Sequence, residues 1–275
     1  MAEAPLVPEG VDPTVPSPAR LYDYYLGGTL NYLADRIAGE RLRANFPEIT
    51  QAAWANRGFH QRAARYIVDQ GIRQFIDVGS GLPTIGNTHD IVQQKDPSIH
   101  VVYVDQDPMV ELYSHELLEG QQTVGVILGD MRRPDEVLSH PLMRELIDFD
   151  QPVGLLMTAV WHFVSPAARP HDLLKRYLDA LAPGSYLALS HITSDRIPPR
   201  VVDTITDLYA NATEMAYFRD KQEFARFFDG LELVPAYEGT TEGVVTVGLW
   251  GAEDPVAADG EDSRLLYSAV ARKPL

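Results

Sequence analysis

Acidic residues and glycines stand together at the ends of three predicted strands. Asp77, Gly79 and Gly81 close the first strand, Asp105 ends the second, and Asp130 ends the third. Because the carboxyl ends of parallel strands meet at one edge of a sheet, these residues are predicted to surround one ligand site. Glycine at such a turn permits both the tight turn and a close approach of the ligand to the backbone amides.

Two of the three acids have a predicted partner in a ligand built from a sugar and adenine. Asp105 can accept hydrogen bonds from both ribose hydroxyls, Asp130 can accept from an adenine amino group, and Met131 offers the ring an apolar surface. Three acids would repel a pyrophosphate, but they suit a ligand that carries a positive charge. A Gly-x-Gly turn after a strand is a weak signal alone, and a purely structural turn is the alternative.

A dinucleotide fits this turn less well. The third glycine of the dinucleotide fingerprint would fall at Thr84, and Pro83 stands at the helix entry. A nicotinamide-dependent oxidoreductase is therefore a disfavoured alternative.

Composition restricts the partners. The 275 residues include 23 Lys and Arg against 39 Asp and Glu, and the net charge of -16 repels nucleic acids and anionic membrane surfaces. The chain has no cysteine, hence no thiol nucleophile, and we predict no metal site. No apolar stretch is long enough to span a membrane, and the acidic start has no secretory leader pattern. We expect a cytoplasmic protein without nucleic-acid or membrane partners; its oligomeric state is not predicted.

The elements that must position the site begin after a proline-rich start. Residues 1–18 contain five prolines and are predicted to be an extended tail. Residues 19–49 are rich in aromatic residues, break at a Gly-Gly pair and are predicted to form a helical cap or lid. Residues 50–275 are predicted to form the main ligand-binding domain.

A helix from Thr50 to about Gln70 is predicted to open that domain, with Gly71 ending it in the left-handed conformation. The chain then alternates short β-branched runs with helices, which is typical of a doubly wound, mostly parallel sheet in a three-layer α/β/α fold. The last strands stand too close for crossover helices, which predicts an antiparallel edge. The predicted strands are RQFIDVG, HVVYVD, TVGVILGD, PVGLLMTAV, SYLALSHI, LELVPAYE, VVTVGLW and LLYSAVAR, with helices to about Lys95, to about Leu118, over 135–147, over 170–182 and, as a pair, over 199–228.

This set of motifs resembles the class I S-adenosylmethionine-dependent methyltransferases over roughly 50–273. The matching motifs are Asp77-x-Gly79-x-Gly81, Asp105, Gly129-Asp130 and Leu181-Ala182-Pro183-Gly184-Ser185. Longer strings resemble a bacterial S-adenosyl methyltransferase subfamily catalogued as a domain of unknown function. Those strings are Arg20-Leu-Tyr-Asp-Tyr-Tyr-Leu-Gly-Gly28, Asn56-Arg-Gly-Phe-x-x-Arg62, Leu82-Pro-Thr-Ile-Gly-Asn-Thr-His89 and Tyr103-Val-Asp-Gln-Asp-Pro108.

The resemblance implies a Rossmann-like fold with S-adenosylmethionine as cofactor and S-adenosylhomocysteine as product. It implies that the glycine turn faces the methionine part of the cofactor, that Asp105 holds the ribose, and that Asp130 contacts the adenine. Gln106 and Ala159 complete the cofactor contacts predicted in the main domain.

Two residues of the first long helix are candidates for the methionine carboxylate. Asn56 lies within the apolar arc of that helix and needs a hydrogen-bonding partner if it is buried. Arg57 borders a strip formed by Ala53, Ala64 and Val68, and our hypothesis is that Arg57 or Asn56 reaches the carboxylate. The alternative is an arginine on a solvated face with Asn56 capping a nearby loop.

The aromatic arm has two interpretations. Tyr22, Asp23 and Tyr25 could form a lid that excludes water from cofactor and acceptor, with Tyr22 touching the cofactor. Alternatively, these tyrosines only pack against the main domain.

Methyl transfer from a sulfonium is an in-line displacement, so the protein needs a base only for an acceptor such as a neutral hydroxyl. His162 and His191 follow the fourth and fifth strands and are the candidate bases, although each could be structural. Trp161 and Phe163 either line the acceptor pocket or pack. The fourth strand ends without the Asp/Asn-Pro-Pro-aromatic signature of amino-group methylation, which also disfavours nucleic acid.

The sequence thus predicts a methyltransferase that uses S-adenosylmethionine and acts on an unidentified small molecule. A non-catalytic or regulatory S-adenosylmethionine-binding protein is the principal alternative, because cofactor motifs indicate binding rather than turnover.

Overall fold

A computed structural model describes residues 5–83, 86–118 and 120–275; Thr84, invoked above against a dinucleotide, lies outside them. Helices surround one eight-stranded sheet. The helices are α1 (Pro18–Tyr25), α2 (Leu33–Asn45), α3 (Ile49–Asp69), α4 (Thr88–Val92), α5 (Pro108–Leu117), α6 (Pro134–Ser139), α7 (Pro141–Leu146), α8 (Pro170–Ala180), α9 (Pro199–Ala210), α10 (Lys221–Ala225) and α11 (Pro255–Ala258).

The sheet has its strands in the order β3-β2-β1-β4-β5-β8-β6, and β7 also pairs with β8. The first five strands are mutually parallel, whereas β8 runs antiparallel to β5, β6 and β7. This confirms the predicted doubly wound sheet with an antiparallel edge. The strands are β1 (Gln74–Val78), β2 (His100–Asp105), β3 (Val124–Leu128), β4 (Gly154–Met157), β5 (Tyr186–Ile192), β6 (Glu232–Leu233), β7 (Val245–Thr246) and β8 (Leu266–Arg272).

The centre of the sheet is β1, whose five residues are all buried because helices cover both faces. Phe75 pairs with Val101 on one side and with Gly154 on the other. A Cβ at Gly154 would stand 2.6 Å from the Phe75 ring, so the glycine makes room for this ring in the core. The strand order changes direction between β1 and β4, which opens a crevice at their carboxyl ends.

Helix α3 connects the N-terminal part of the chain to β1. Its apolar arc includes Phe59, Ala63 and Ile67, all fully buried. The helix runs from Ile49 to Asp69, and Gly71 follows it with φ +94°, in agreement with the predicted ends.

Several elements are shorter than predicted. The helix predicted over 135–147 is two helices, because Pro141 lacks an amide donor and holds His140 in an extended conformation. The helix after the glycine turn, predicted to reach about Lys95, ends at Val92. The predicted strand VVTVGLW pairs only over β7, since the carbonyls of Val247 and Trp250 accept hydrogen bonds from Arg62 instead.

Residues 5–17 have no regular structure but pack on the rest of the chain. The Arg20 guanidinium, on the following helix, lies 2.9 Å from Asp35 and 3.5 Å from Asp107 and also donates to the Val15 carbonyl. The Tyr32 hydroxyl donates to the Leu6 carbonyl. None of the helices in the described ranges is both long and apolar enough to cross a membrane.

Candidate cofactor and acceptor site

A cavity of about 390 Å³ opens at the carboxyl ends of β1, β2 and β4, beneath α1 and beside α3 and α9. This volume is in the range of small-molecule sites. Ten of the eleven predicted cofactor residues line it, and Asp130 does not. The ten are Tyr22, Asn56, Arg57, Asp77, Gly79, Gly81, Asp105, Gln106, Met131 and Ala159.

The glycine turn forms one wall of the cavity. Gly79 and Gly81 have φ of +69° and +68°, in the left-handed region that favours glycine. A Cβ at Gly79 would stand 2.1 Å from the Val160 side chain, whereas a Cβ at Gly81 would meet no protein atom within 4 Å. The space over Gly81 therefore belongs to the cavity, as the predicted close approach of a ligand requires.

Asp105 holds this turn in place from the end of β2. One oxygen of its carboxylate accepts from the Gly81 amide at 2.9 Å, and the other accepts from the Asp107 amide at 3.0 Å. Burial raises the pKa of Asp105 to about 6 despite these two amide hydrogen bonds. The carboxylate still lines the cavity, and its remaining lone pairs can accept from a diol.

Asp77 belongs to a buried chain of hydrogen bonds that sequence reasoning missed. The Thr88 hydroxyl donates to Asp77 at 2.6 Å, so the Thr88 oxygen accepts from Nε2 of His60 at 2.9 Å. Nδ1 of His60 then accepts from the Thr158 hydroxyl at 2.9 Å. Burial raises the pKa of Asp77 to about 6 and lowers the pKa of His60 to about 3, so the imidazole is neutral. His60 stands one helical turn after Asn56, which is the only sequence signal for it.

Asn56 has the hydrogen-bonding partners that its burial requires. Its amide nitrogen donates to the Tyr22 hydroxyl at 2.9 Å, and Tyr22 donates to the Ala53 carbonyl. Its amide oxygen accepts from the Ser190 hydroxyl at 2.5 Å, and Ser190 accepts from the Ala159 amide at 2.8 Å. This chain of hydrogen bonds links α1, α3, β5 and the segment after β4.

Ala159 is held in a strained conformation at the end of that chain. Its φ is +54°, which costs a non-glycine residue about 1 kcal/mol or more. Strain of this kind persists only where surrounding contacts impose it, and the hydrogen bond from the Ala159 amide to Ser190 is one such contact.

Replacing Ser190 with alanine is expected to lower the free energy of unfolding by about 2 kcal/mol, because it leaves the Ala159 amide and the Asn56 oxygen without a partner. Urea denaturation measures this change. Ser194→Ala, at an exposed position two residues after β5, is the matched control and should change stability by less than about 0.5 kcal/mol. Equal stabilities of the two variants would contradict the role of Ser190.

Arg57 is buried beside the cavity, with 7% of its surface exposed. The alternative of an arginine on a solvated face is therefore wrong. The guanidinium donates to the Asn87 side chain at 3.3 Å, and its charge lies close to the Asp77 carboxylate, whose pKa it lowers against the larger effect of burial.

The prediction for Asp130 needs correction. Both carboxylate oxygens accept from Nε of Arg132, at 2.8 and 3.0 Å, and Asp130 does not line the cavity. Arg132 also bonds Glu214 and Gln106, and Gln106 donates to Glu214 at 2.6 Å. The Asp130 carboxylate, which the sequence analysis assigned to the adenine, is thus bound by Arg132. Gln106 and Glu214, which Arg132 also contacts, line the cavity instead.

The two candidate bases have different positions. His162 lines the cavity, burial lowers its pKa to about 3, and its Nδ1 has no hydrogen-bonding partner among the described residues. His191 does not line the cavity: its Nδ1 donates to the Ile192 carbonyl, and its Nε2 accepts from Arg219. The prediction of His191 as a base is corrected accordingly, because both ring nitrogens are occupied.

Of the two aromatic neighbours of His162, Phe163 lines the cavity and Trp161 packs. Trp161 is fully buried and contacts the Tyr177 ring edge-to-face. The remaining lining around His162 and Phe163 is apolar, and it comes from helices α1, α2 and α9 and from the start of β8.

Comparison with known proteins identifies the class. The sheet order and helical layers are those of Rossmann-like methyltransferases: an O-methyltransferase family protein from Burkholderia thailandensis has this fold at 11% identity, over 82% of this chain and 60% of that one, with a TM-score of 0.53. This likeness shows the fold alone.

The chain belongs to the S-adenosyl methyltransferase family, which it matches over residues 6–274. It is similar to a protein from Thermobifida fusca YX given provisionally as a methyltransferase, with 35% identity, 98% of each chain covered and a TM-score of 0.89. It is also similar to a DUF574 family protein from Streptomyces avermitilis MA-4680, with 36% identity, 94% and 98% covered and a TM-score of 0.87. No curated protein matches. The family and its cofactor, S-adenosylmethionine, are as the sequence motifs predict.

Cofactor affinity is expected to depend on pH through Asp105. An ionised carboxylate can accept from both ribose hydroxyls, whereas protonation removes its charge and turns one oxygen into a donor. Cofactor affinity should therefore be full above the pKa of about 6 and fall below it. Calorimetry with S-adenosylhomocysteine should give about tenfold weaker binding at pH 5 than at pH 7.5. Asp105→Asn should show a flatter pH dependence, and a flat wild-type profile would contradict the assignment.

Proposed function

We propose that this chain is an active methyltransferase that moves the methyl group of S-adenosylmethionine to a small-molecule acceptor by in-line displacement. The observation that carries this proposal is the lining of one cavity. Asp77, Asp105 and the glycine turn, at the ends of β1 and β2, form its polar end, and the residues around Phe163, which follows the next strand β4, form its apolar end. A protein that only binds the cofactor has no need of the second end.

The polar end fits the cofactor. The open space over Gly81 suits the methionine part of the cofactor. The lone pairs of Asp105 suit the ribose, and the apolar side chain of Met131 suits the purine. Gln106 and Glu214 offer polar groups to the purine edge, and Asp130 supports them through Arg132. When bound, S-adenosylmethionine supplies an electrophilic methyl group on a positively charged sulfur.

Arg57 is our proposal for the methionine carboxylate. Asn56 uses both ends of its amide within the chain of hydrogen bonds to Tyr22 and Ser190, so it is better suited to hold Ala159 than to bind an anion. Arg57 brings a buried positive charge to the same wall of the cavity, and a guanidinium matches a carboxylate in shape and charge.

His162 is our proposal for the base where the acceptor is a neutral hydroxyl. Its low pKa keeps the ring neutral at physiological pH, so that it can accept a hydrogen bond from such a group and take its proton as the oxygen becomes alkylated. Phe163 and the apolar lining exclude water and hold the acceptor in line.

Residues 19–49 are proposed to act as the cap, within the predicted division into 1–18, 19–49 and 50–275. Tyr22, Tyr25 and Leu42 from this stretch line the cavity, which supports a covering role rather than packing alone. A cytoplasmic location and the lack of nucleic-acid partners remain predictions from composition.

Calorimetry with S-adenosylmethionine, S-adenosylhomocysteine and NAD tests the cofactor, and release of S-adenosylhomocysteine from a metabolite extract tests turnover. We expect the two adenosyl compounds to bind and NAD not to. Binding without release in any extract would favour the non-catalytic alternative, and tight NAD binding would overturn the proposal.

A further inference from the structure

The apolar end of the cavity has a definite composition. It contains aromatic rings, aliphatic side chains and no acid or base among its described residues apart from His162; we define it by Tyr25, Leu42, Ile49, His162, Phe163, Ile205 and Tyr209. The charged residues that line the cavity include Asp77 and Asp105 of the polar end, and Arg20, which forms ion pairs with Asp35 and Asp107.

Three rings of this end pack in a row, with Phe163 between His162 and Tyr209. The Phe163 ring centroid lies 4.3 Å from that of His162 and 5.3 Å from that of Tyr209, with the latter pair at 64°. Tilted and edge-to-face rings at such distances are favourable, and a ligand ring can pack against aromatic side chains in the same geometries. Helix α1 brings Tyr25 to the same end from the cap.

Tyr25 has a hydroxyl that nothing in the described chain satisfies. The side chain is 95% buried and its hydroxyl has no hydrogen-bonding partner, although Tyr24 beside it bonds Glu40. Burial, and to a smaller extent the nearby Tyr209, raises the pKa of Tyr25 well above its usual value. The hydroxyl therefore keeps its proton and can donate a hydrogen bond. An unpartnered buried donor at a binding cavity indicates a ligand atom that accepts from it.

These features exclude charged acceptors and favour aromatic ones. A carboxylate, phosphate or ammonium group would lose its hydration in this end without meeting an opposite charge. A sugar would leave several hydroxyls unpaired, since Tyr25, Tyr209 and His162 are the only residues of the defining set whose side chains offer hydrogen bonds.

We propose that the acceptor is an uncharged aromatic compound that carries a polar ring substituent, with its ring against Phe163 and Tyr209 and its substituent bonded by the Tyr25 hydroxyl. This inference rests on the proposed function, because it concerns the acceptor of the same site.

Calorimetry on protein saturated with S-adenosylhomocysteine tests this class. The probes are 2-naphthol, which is uncharged, and 2-naphthoate, which has the same ring system and a negative charge. We expect 2-naphthol to bind at least about tenfold more tightly than 2-naphthoate. Failure of S-adenosylhomocysteine to bind at the outset would overturn the proposed function. Its binding without binding of 2-naphthol, or with equal or tighter binding of 2-naphthoate, would overturn only the acceptor class.

Two tyrosine variants locate the probe. Tyr25→Phe should weaken 2-naphthol binding by about three- to tenfold and leave S-adenosylhomocysteine binding unchanged, because it removes one donor without changing the ring. Tyr24→Phe is the matched control, since Tyr24 does not line the cavity. Equal affinities of both variants and the wild type for 2-naphthol would overturn the role of Tyr25.

Discussion

Replacing Asp105 with alanine is expected to weaken the binding of both S-adenosylmethionine and S-adenosylhomocysteine by about 100-fold. The change removes the acceptor proposed for the ribose hydroxyls and also frees the Gly81 amide, which the carboxylate holds at 2.9 Å. Hydrogen bonds to a charged group contribute about 1.5 to 3 kcal/mol each, and the loss of two accounts for this factor. Calorimetry at pH 7.5 measures it.

Asp150→Ala is the control for this change, because Asp150 is an exposed acid on a loop that does not line the cavity. It should bind both compounds as the wild type does. If Asp105→Ala also did so, the whole assignment of the polar end would be wrong, since Asp105 holds the glycine turn and is the residue proposed to bind the ribose.

Replacing Gly81 with valine is expected to reduce cofactor affinity by about 100-fold or more. The added side chain would enter open cavity space, so it should block the ligand without a clash inside the protein. Overfilling a binding space typically costs about 1 to 3 kcal/mol, which corresponds to this loss at its upper end. The positive φ of +68° adds a stability cost of about 1 to 2 kcal/mol.

Gly71→Val separates the two effects. Gly71 also has a positive φ, of +94°, and a Cβ there meets nothing within 4 Å, but it lies at the end of α3 and does not line the cavity. Both variants should lose similar stability in urea denaturation, and only Gly81→Val should lose cofactor affinity. Normal cofactor binding by Gly81→Val would place the ligand elsewhere.

The sequence predicted best those features that depend on the backbone conformation at a single position or on the end of a single helix or strand. The glycine turn, Asp105 at the end of β2 and Gly71 after α3 each follow from backbone geometry or from the end of a single element, so neighbouring residues suffice to predict them. Their lining of one cavity follows from parallel strands ending at a common edge.

Local patterns led to predictions that needed correction where another side chain of the protein binds the predicted group. Arg132 takes the carboxylate of Asp130, and Arg219 takes a nitrogen of His191, 28 residues away along the chain. A carboxylate or an imidazole at the end of a strand has the same sequence signature whether it faces a ligand or another side chain.

By itself, the sequence determined the class of fold, because strand periodicity and turn residues act over a few positions, and its motifs indicated the cofactor through their resemblance to a known family. The tertiary structure decided what no such pattern encodes: the neutral His60 between Thr88 and Thr158, the bond from Ser190 to Asn56, and the unpartnered Tyr25 hydroxyl at the apolar end. Hydrogen bonding and burial of these groups depend on contacts between separate elements, and those contacts exist only after the sheet and the cap have packed together.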